Sequence, residues 1–470
     1  MMSIPEGQQD WQEILQSQKA LLCSGQWRSV AYRQNLLRCL KDILIDHEAE
    51  WLAALADDLG KSAVESYASE LGVVLNEIDF LFRHIGRWSR PRRIYSWKIF
   101  SAFSGLRASI TREPHGSVLI ISPWNYPLQL SLLPLAGALA AGNSCFLKPS
   151  ELAPATARLL NRLLTDSFPR EIIQVVEGDA TVATHLLSME WNSIFFTGSQ
   201  EVGKAIEKAV AGRHIPLTLE LGGKNPCIID ASGLNEAAAR RIVWGKFLNA
   251  GQTCVAPDTV WVEAACLEPL VALLSEQIEE AFGTDPASSP DYGRIGHPRQ
   301  LERLRVLLQQ GQVRKGGAID NSQSLLEPTL LTDVPAGSPL MEEEIFGPIL
   351  PIIPYESLDT LVEHLRHQPE PLAVYLFSRN RSTINHLGKN LRCGAFCVNQ
   401  VIRYAASSKL PFGGIGASGY GRYHGEASMT TFSYEKVHCQ ESLWPDWRIL
   451  YPPYAGSAMA ALKRLRRWLL

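Results

Sequence analysis

The sequence lacks the short motifs in which cysteine and histidine usually hold a metal. None of its nine cysteines forms a CxxC pair, and none of its 11 histidines lies in an HExxH motif. Either pattern would indicate zinc, whose ligands cluster at fixed spacings. We therefore predict no metal site. The odd number and wide scatter of the cysteines also argue against a disulfide framework and favour a reducing, cytoplasmic compartment.

Long apolar runs and charge of one sign are also missing. The longest apolar stretch, residues 128–141, contains Gln129 and Pro134 and is too short to span a membrane, so we expect a buried helix there. The first nine residues have no basic segment followed by an apolar run, which argues against a secretory signal. A net charge of -3 over 470 residues gives no electrostatic footprint for nucleic acid.

The C-terminal residues 458–470 combine basic side chains with regularly spaced apolar ones. This pattern is typical of a helix at a membrane surface or of a solvated terminal helix. We favour the solvated helix, and a peripheral membrane contact through the basic tail is the alternative.

What the chain does contain is an alternation of short apolar runs and helical segments. After helical spacing over residues 30–88, the runs lie at residues 117–122, 144–148, 172–176 and 193–197. A second series lies at residues 226–230, 259–263, 349–355 and 372–378. Buried strands that alternate with helices predict a parallel, doubly wound sheet. We therefore predict an α/β protein with two doubly wound domains and a boundary after residue 217.

One cysteine lies in a setting that differs from an apolar core. Cys254 occurs in the segment GQTCVAP at residues 251–257, where a glycine and a proline predict a turn. Free cysteine is most often an inert core residue, but a thiol on a turn is accessible to a small molecule. The segments LELGGK, which contains Glu220, and PWNYP, which contains Asn125, add a carboxylate and an amide. Together these groups supply a nucleophile, a carboxylate base and an amide donor.

These segments, in this order, resemble the aldehyde dehydrogenase superfamily over residues 30–453. The likeness is strongest to its class 3 branch, which acts on fatty and aromatic aldehydes. It lies in DLGK at 58–61, PWNYP at 123–127, FGG at 412–414, SGYG at 418–421, YHG at 423–425 and YPPY at 451–454. The resemblance implies NAD(P)-dependent oxidation of aldehydes to carboxylic acids.

The resemblance also implies a role for each of the three chemical groups. Cys254 as thiolate would form a covalent adduct with the aldehyde, from which hydride can leave. The Asn125 side-chain amide and the Cys254 backbone N–H would stabilise the oxyanion. Glu220 would activate the water that hydrolyses the thioester, and its apolar neighbours favour a raised pKa.

The cofactor is expected to be NAD, with NADP as the alternative. By resemblance, the cofactor-binding residues are Trp124, Lys148, Glu151, Thr197, Gly198, Ser199, Gly203, Gly222, Glu344 and Phe346. The segment that contains Ser199 follows a predicted strand and opens a helix, where the N-terminus favours a pyrophosphate. Glu151 favours NAD because a carboxylate beside the adenosine ribose repels a 2′-phosphate. Glu344 would hold the nicotinamide ribose, and Phe346 would pack beside the nicotinamide ring.

Three regions follow from the pattern and the resemblance together. They are a Rossmann-like dinucleotide-binding domain at residues 1–92 and 113–217, a catalytic thiol domain at 218–400, and a small β bridging and oligomerisation arm at 93–112 and 423–440. The arm should include a strand near residues 107–112 and a partner strand near 429–435. Exposed edge strands pair with other chains, so we expect a homodimer.

The substrate is expected to be a medium or long-chain aliphatic, an aromatic or an isoprenoid (apocarotenoid) aldehyde. Asn399 and the loop at residues 412–421 should shape its entrance, with core packing as an equal interpretation for Phe412, and we expect a structural role for His424. The alternatives are a CoA-acylating dehydrogenase of the same fold, against which Glu220 argues, a semialdehyde-specific one, for which the sequence shows no dedicated arginine or lysine pair to bind a substrate carboxylate, and a cysteine esterase. An ester assay with and without NAD distinguishes the esterase.

Overall fold

The chain folds into helices and strands that alternate along most of its length. The computed structural model describes residues 8–94, 107–444, 446, 451–454 and 456–469. The helices are α1 (Gln8–Ser24), α2 (Val30–Asp46), α3 (Glu48–Leu59), α4 (Ala63–Ser66), α5 (Gly72–Trp88), α6 (Gln129–Ala141), α7 (Pro154–Ser167), α8 (Ala180–Ser188), α9 (Gln200–Val210), α10 (Glu236–Phe247), α11 (Leu267–Phe282), α12 (Pro298–Leu308), α13 (Pro339–Glu342), α14 (Leu358–Arg366), α15 (Arg381–Asn390), α16 (Glu426–Thr431) and α17 (Ala458–Leu469). A π-helical turn, Tyr67–Leu71, joins α4 to α5.

The strands belong to two large sheets and two small ones. They are β1 (Arg92–Ile94), β2 (Arg107–Pro114), β3 (Ser117–Ile121), β4 (Ser144–Lys148), β5 (Ile173–Val175), β6 (Ser193–Gly198), β7 (Leu217–Leu221), β8 (Pro226–Ile229), β9 (Thr259–Glu263), β10 (Gln312–Lys315), β11 (Ile319–Asp320), β12 (Leu325–Leu326), β13 (Thr329–Thr332), β14 (Ile349–Tyr355), β15 (Ala373–Phe377), β16 (Ala395–Val398), β17 (Gly419–Tyr420) and β18 (Ser433–Gln440).

The first large sheet has the strand order β17-β7-β6-β3-β4-β5. Its strands are parallel except for the short β17, which runs antiparallel to β7. Strands β3 and β4 are buried along their whole length, as expected of central parallel strands covered by helices. Helix α6 is buried at nearly every position, which confirms the buried helix expected from its mainly apolar sequence.

The second large sheet has the strand order β10-β13-β14-β9-β8-β15-β16. Only β10 is antiparallel to its neighbour. Strands β9 and β14 have the bounds expected from the sequence. Two mainly parallel sheets connected by helices confirm the predicted α/β fold class.

The boundary expected after residue 217 falls within strand β7. Strand β7 pairs with β6 in the first sheet through Leu221, and the chain enters the second sheet only at Pro226. The apolar segment around Glu220 therefore belongs to the first sheet, and the chain crosses to the second sheet after Leu221, beginning with two glycines. As a result, Glu220 projects from the first sheet while Cys254 lies in the part of the chain that builds the second.

A separate antiparallel sheet, in the order β1-β2-β18, forms the arm. The expected partner strand at residues 429–435 is only partly correct, because α16 continues to Thr431 and β18 begins at Ser433. The fully buried side chains of Met429 and Phe432 hold this segment against the core as a helix. Strand β18 is exposed at every position after its first. Residues 95–106, which were expected to belong to the arm, lie outside the described residues.

The described residues were compared with the requirements for a membrane-spanning helix and for a metal site. In the described ranges, no helix is long and apolar enough to cross a membrane. Within the same ranges, no three or more His, Cys, Asp or Glu side chains are arranged to hold a metal ion.

Candidate active site

Cys254 lies on an irregular turn between α10 and β9. Just before it, Asn249 and Ala250 have left-handed backbone angles, with φ 52° and 51°. Gly251 also has a positive φ of 76°, and a Cβ there would lie 2.3 Å from the Gly347 carbonyl oxygen. Only glycine fits at that position, so the backbone directs the half-buried Cys254 side chain away from the regular elements.

Two cavities meet at Cys254. The first, of about 530 Å³, has a mainly apolar lining that includes Leu130, Val243 and Phe247; we call it the apolar cavity. The second, of about 560 Å³, lies at the carboxyl ends of strands of the first sheet; we call it the strand-end cavity. Cys254 and Phe412 border both cavities. A molecule in either cavity therefore has access to the sulfur.

Glu220 faces the strand-end cavity from the end of β7. Its side chain is buried, and neither carboxylate oxygen has a hydrogen-bond partner among the described residues. Burial raises the pKa of Glu220 well above its usual value, and the nearby Arg422 guanidinium acts in the opposite direction. A Cβ on Gly413 would lie 3.0 Å from Oε1 of Glu220. The carboxyl therefore has free lone pairs, beside a cavity, that can accept a proton from a water molecule.

Asn125 lies in the loop between β3 and α6 and also lines the strand-end cavity. Its side-chain Nδ2 donates to the Gln252 carbonyl at 2.9 Å, which leaves the second amide hydrogen free for a ligand. The Tyr126 hydroxyl and Thr253 Oγ1 are hydrogen-bonded at 2.6 Å. These two contacts connect the Asn125 loop to the turn that carries Cys254.

The environment of the thiol keeps it protonated in the free protein. Burial, followed by the negative charges of Glu344 and Glu220, raises the pKa of Cys254 to about 12. The backbone N–H groups of Cys254 and Val255 act in the opposite direction. Because the thiolate is the nucleophile, the thiol needs a base during the reaction.

The floor of the strand-end cavity is the turn between β6 and α9. Thr197, Gly198 and Ser199 line the cavity here. Ser199 Oγ caps α9 by accepting from the Val202 N–H at 3.3 Å. The N–H groups at a helix N-terminus favour an anionic group.

The opposite wall of this cavity carries a carboxylate and two aromatic rings. Glu344 lies against the crossing after β7, where a Cβ on Gly222 would come within 2.1 Å of its Oε2. Burial and the neighbouring Asp258 raise the pKa of Glu344 to about 8, and a hydrogen bond from the Gly223 N–H acts in the opposite direction. The rings of Trp124 and Phe346 meet edge to face at 5.6 Å. Gly222, Glu344, Trp124 and Phe346 therefore lie around one cavity, as expected.

Three expected cofactor residues lie outside the lining of this cavity. Lys148 Nζ forms an ion pair with Glu151 Oε2 at 2.7 Å at the end of β4. Gly203 lies on α9, where a Cβ would be 2.8 Å from the Leu221 side chain. Gly203 therefore allows α9 to pack closely on β7.

The profile of the Aldehyde dehydrogenase family matches residues 6–438. The chain belongs to the aldehyde dehydrogenase family. It is 48% identical over 414 residues to 4,4'-diapolycopene-4,4'-dial dehydrogenase of Cytobacillus firmus, covering 88% of this chain and 90% of that protein. It is 42% identical over 417 residues to aldehyde dehydrogenase family 3 member B1 of Homo sapiens, with 88% of each chain covered.

A solved structure of a similar protein has the same fold as this chain. The substrate-bound state of Staphylococcus aureus AldH superposes with a TM-score of 0.94 at 38% identity and covers 99% of this chain and 100% of that one. The class 3 resemblance inferred from the motifs is confirmed. The protein is an enzyme that oxidises aldehydes with a nicotinamide cofactor, NAD(P).

The enzyme contains site residues that sequence reasoning missed. The His297 ring lies 5.2 Å from that of Trp124 and lines the strand-end cavity, and its Nδ1 caps α12 by accepting from the Gln300 N–H. A histidine directly before a proline at a helix start was the available signal. Lys61 and Glu70 form a buried ion pair beneath Asn125, for which Lys61 in the DLGK motif was the only signal.

The residues discussed for the substrate entrance differ in their position relative to the two cavities. Phe412 borders both cavities, which agrees with its expected place beside the substrate. Asn399 lines neither cavity; its side chain accepts from the Ser378 N–H and donates to the Ser378 carbonyl, at 3.0 Å each. His424 borders the apolar cavity, stacks on Phe412 and has its pKa lowered to about 4 by burial.

Proposed function

We propose that the enzyme oxidises long, apolar aldehydes to carboxylic acids, with Cys254 as the nucleophile. The observation that carries this proposal is the position of Cys254 at the junction of the apolar cavity and the strand-end cavity. An aldehyde in the apolar cavity reaches the sulfur from one side. A cofactor in the strand-end cavity reaches the same carbon from the other.

The first step is attack of the Cys254 thiolate on the aldehyde carbon, which gives a thiohemiacetal. Glu220 accepts the thiol proton, because its oxygens are free and its raised pKa makes it a stronger base than an ordinary carboxylate. The free amide hydrogen of Asn125 and the Cys254 backbone N–H stabilise the alkoxide. Removal of one such donor typically costs on the order of 10²–10³ in rate.

The strand-end cavity suits a dinucleotide. Its helix N-terminus at Ser199 would hold the pyrophosphate, and Glu344 would bind the nicotinamide ribose, for which Gly222 leaves room. Trp124 and Phe346 would flank the nicotinamide. When bound, the cofactor accepts the hydride that leaves the thiohemiacetal. A preference for NAD is supported by Glu151, with Lys148 beside it at the end of β4.

The product of hydride loss is a thioester on Cys254, which water must cleave. Glu220 first releases the thiol proton to solvent and then removes a proton from this water, which attacks the acyl carbon. The C–S bond breaks to give the acid and the Cys254 thiolate, and the thiolate takes the proton back from Glu220 to regenerate the thiol. Water activation requires the charged form of Glu220, so deacylation slows as the pH falls below its raised pKa. A base that serves hydrolysis also argues against transfer of the acyl group to CoA.

The apolar cavity supports an aliphatic or isoprenoid substrate. Its lining offers Leu130, Val243 and Phe247 as apolar contacts, and each buried methylene contributes about 0.8 kcal/mol. The relative from Cytobacillus firmus carries the name of a long apocarotenoid dialdehyde. We propose that long isoprenoid aldehydes belong to the substrate class.

We further propose a division of the chain and an assembly. The first large sheet is the cofactor domain, the second is the catalytic domain, and the three-stranded sheet is the oligomerisation arm of a homodimer. The exposed edge strand β18, with Val437 63% exposed, supports the last assignment. All nine cysteines are free, which supports a reducing compartment such as the cytoplasm.

A single substitution tests the central proposal. Cys254→Ala removes the sulfur, so we expect no aldehyde-dependent NADH formation, while cofactor affinity measured by fluorescence quenching stays within about twofold of wild type. Mass spectrometry of wild-type enzyme quenched during turnover should find the acyl mass on Cys254. Turnover retained in the variant would contradict the proposal.

A further inference from the structure

We propose that Lys61 and Glu70 are a positioning pair, which fixes the Asn125 amide relative to Cys254. Neither side chain contacts a cavity that holds substrate or cofactor in the proposed mechanism. The inference rests on the proposed oxyanion role of Asn125, and the experiment below separates the two.

The pair is completely buried and directed at the Asn125 loop. Lys61 Nζ lies 2.5 Å from Glu70 Oε1, and both side chains have no exposed surface. The same Nζ donates to the Asn125 carbonyl at 3.1 Å and lies 4.0 Å from the centre of the Tyr126 ring. The Lys61 ammonium group therefore contacts the Glu70 carboxylate, the Asn125 carbonyl and the Tyr126 ring at the same time.

Glu70 holds the other end of the same loop. Its second oxygen, Oε2, accepts from the backbone N–H groups of Leu128 and Gln129 at 2.9 and 3.1 Å. These N–H groups begin α6 and would otherwise lack partners. Glu70 itself lies in the π-helical turn Tyr67–Leu71, a local widening that is frequent at functional sites. The pair thus restrains the loop both at Asn125 and at the start of α6.

The opposite side of the loop is restrained by the turn that carries the nucleophile. Asn249 Nδ2 donates to the Asn125 carbonyl at 2.7 Å, and Asn125 Nδ2 donates to the Gln252 carbonyl at 2.9 Å. The Asn125 carbonyl therefore receives two donors, one from each side. Loss of the Lys61 donor would leave the Asn125 peptide held from the Cys254 side alone.

Stability by itself does not account for this arrangement. Burial of two charges costs solvation free energy that their attraction only approximately offsets, and apolar replacements of such pairs are often neutral or stabilising. A directed ammonium, by contrast, fixes the position of a peptide group. An error of about 1 Å in a catalytic group can cost on the order of 10² in rate, so precise placement of the Asn125 amide has a direct effect on turnover.

The test uses Lys61→Met/Glu70→Gln in the full-length enzyme. The double change removes both charges, keeps similar side-chain volumes and leaves an amide oxygen to accept from Leu128, so neither member of the pair is left as a lone buried charge. We expect kcat to fall about 10- to 100-fold. The cofactor Kd should stay within about twofold, because the strand-end cavity keeps its own lining.

A second measurement distinguishes positioning of Asn125 from a purely structural role of the Lys61–Glu70 pair. In the Asn125→Ala background, the double change should alter kcat by less than about twofold, because a pair that acts through Asn125 has nothing left to position. Multiplicative losses in this background, or a wild-type kcat for the double change alone, would overturn the inference. A wild-type kcat for Asn125→Ala alone would instead overturn the oxyanion role on which the inference depends.

Arg33 offers a matched control at the far end of α6. It lies on α2, is buried, and donates to the Ala140 carbonyl at 2.7 Å and to Ser89 Oγ at 2.8 Å, so Arg33→Met removes a buried cation that contacts α6 far from Asn125. We expect a lower melting temperature and an unchanged kcat. An equal loss of kcat in Arg33→Met would show that loosening of α6 explains the effect, and would refute positioning by Lys61 and Glu70.

Discussion

The length of the aldehyde should control turnover through the apolar area that the apolar cavity removes from water. Leu130, Val243 and Phe247 contribute apolar surface along this cavity. Each methylene that is buried contributes about 0.8 kcal/mol, which is about fourfold in kcat/KM. From butanal to octanal, four added methylenes give about 3 kcal/mol and therefore about a 200-fold increase in kcat/KM.

The assay is the initial rate of NADH formation at saturating cofactor and at aldehyde concentrations well below KM. Trp244 provides a control, because it lines the apolar cavity and is 44% exposed, which places it at the opening. Trp244→Ala should lower kcat/KM for aldehydes long enough to reach the opening and leave butanal unaffected. A flat dependence on chain length, or an equal loss for short and long aldehydes in Trp244→Ala, would refute an apolar cavity as the substrate site.

Three further predictions concern the base, its surroundings and the assembly. Glu220→Gln should keep a pre-steady-state burst of NADH and lose steady-state turnover. In the wild-type enzyme, kcat should decline as the pH falls, because burial raises the pKa of Glu220 and its carboxylate then becomes protonated. Wild-type steady-state rates across pH in Glu220→Gln would exclude this base. Gly413→Ala should lower kcat at least about tenfold, because its Cβ would meet the Gly421 carbonyl at 2.4 Å and Glu220 Oε1 at 3.0 Å; an unchanged kcat would contradict close packing there. Light scattering should give a mass of about twice the 52.1 kDa chain mass. The substitution Val437→Glu on β18 should lower the measured mass toward that of a single chain. A monomeric wild-type protein would refute the dimer.

The elements that the sequence predicted well depend on local patterns. Strands β9 and β14 were predicted with their observed bounds, because apolar runs bounded by turn residues define a buried strand over a few positions. The partner strand in the arm was misplaced because Met429 and Phe432 are apolar in any element, and only their burial against the core determines a helix there. The hydrogen bonds between Asn399 and Ser378 also depend on how β15 and β16 pair, which a local pattern does not show.

The sequence by itself determined the family, the two-sheet α/β organisation and the chemical groups at Cys254, Glu220 and Asn125. A turn cysteine, a carboxylate among apolar residues and an amide after a buried strand are local features, so they are visible without coordinates. Only the tertiary structure decided that two cavities meet at the sulfur, that the Glu220 oxygens are buried without partners, and that Lys61 and Glu70 lie beneath Asn125. These properties arise from contacts between residues far apart in the chain, which packing fixes and local pattern does not encode.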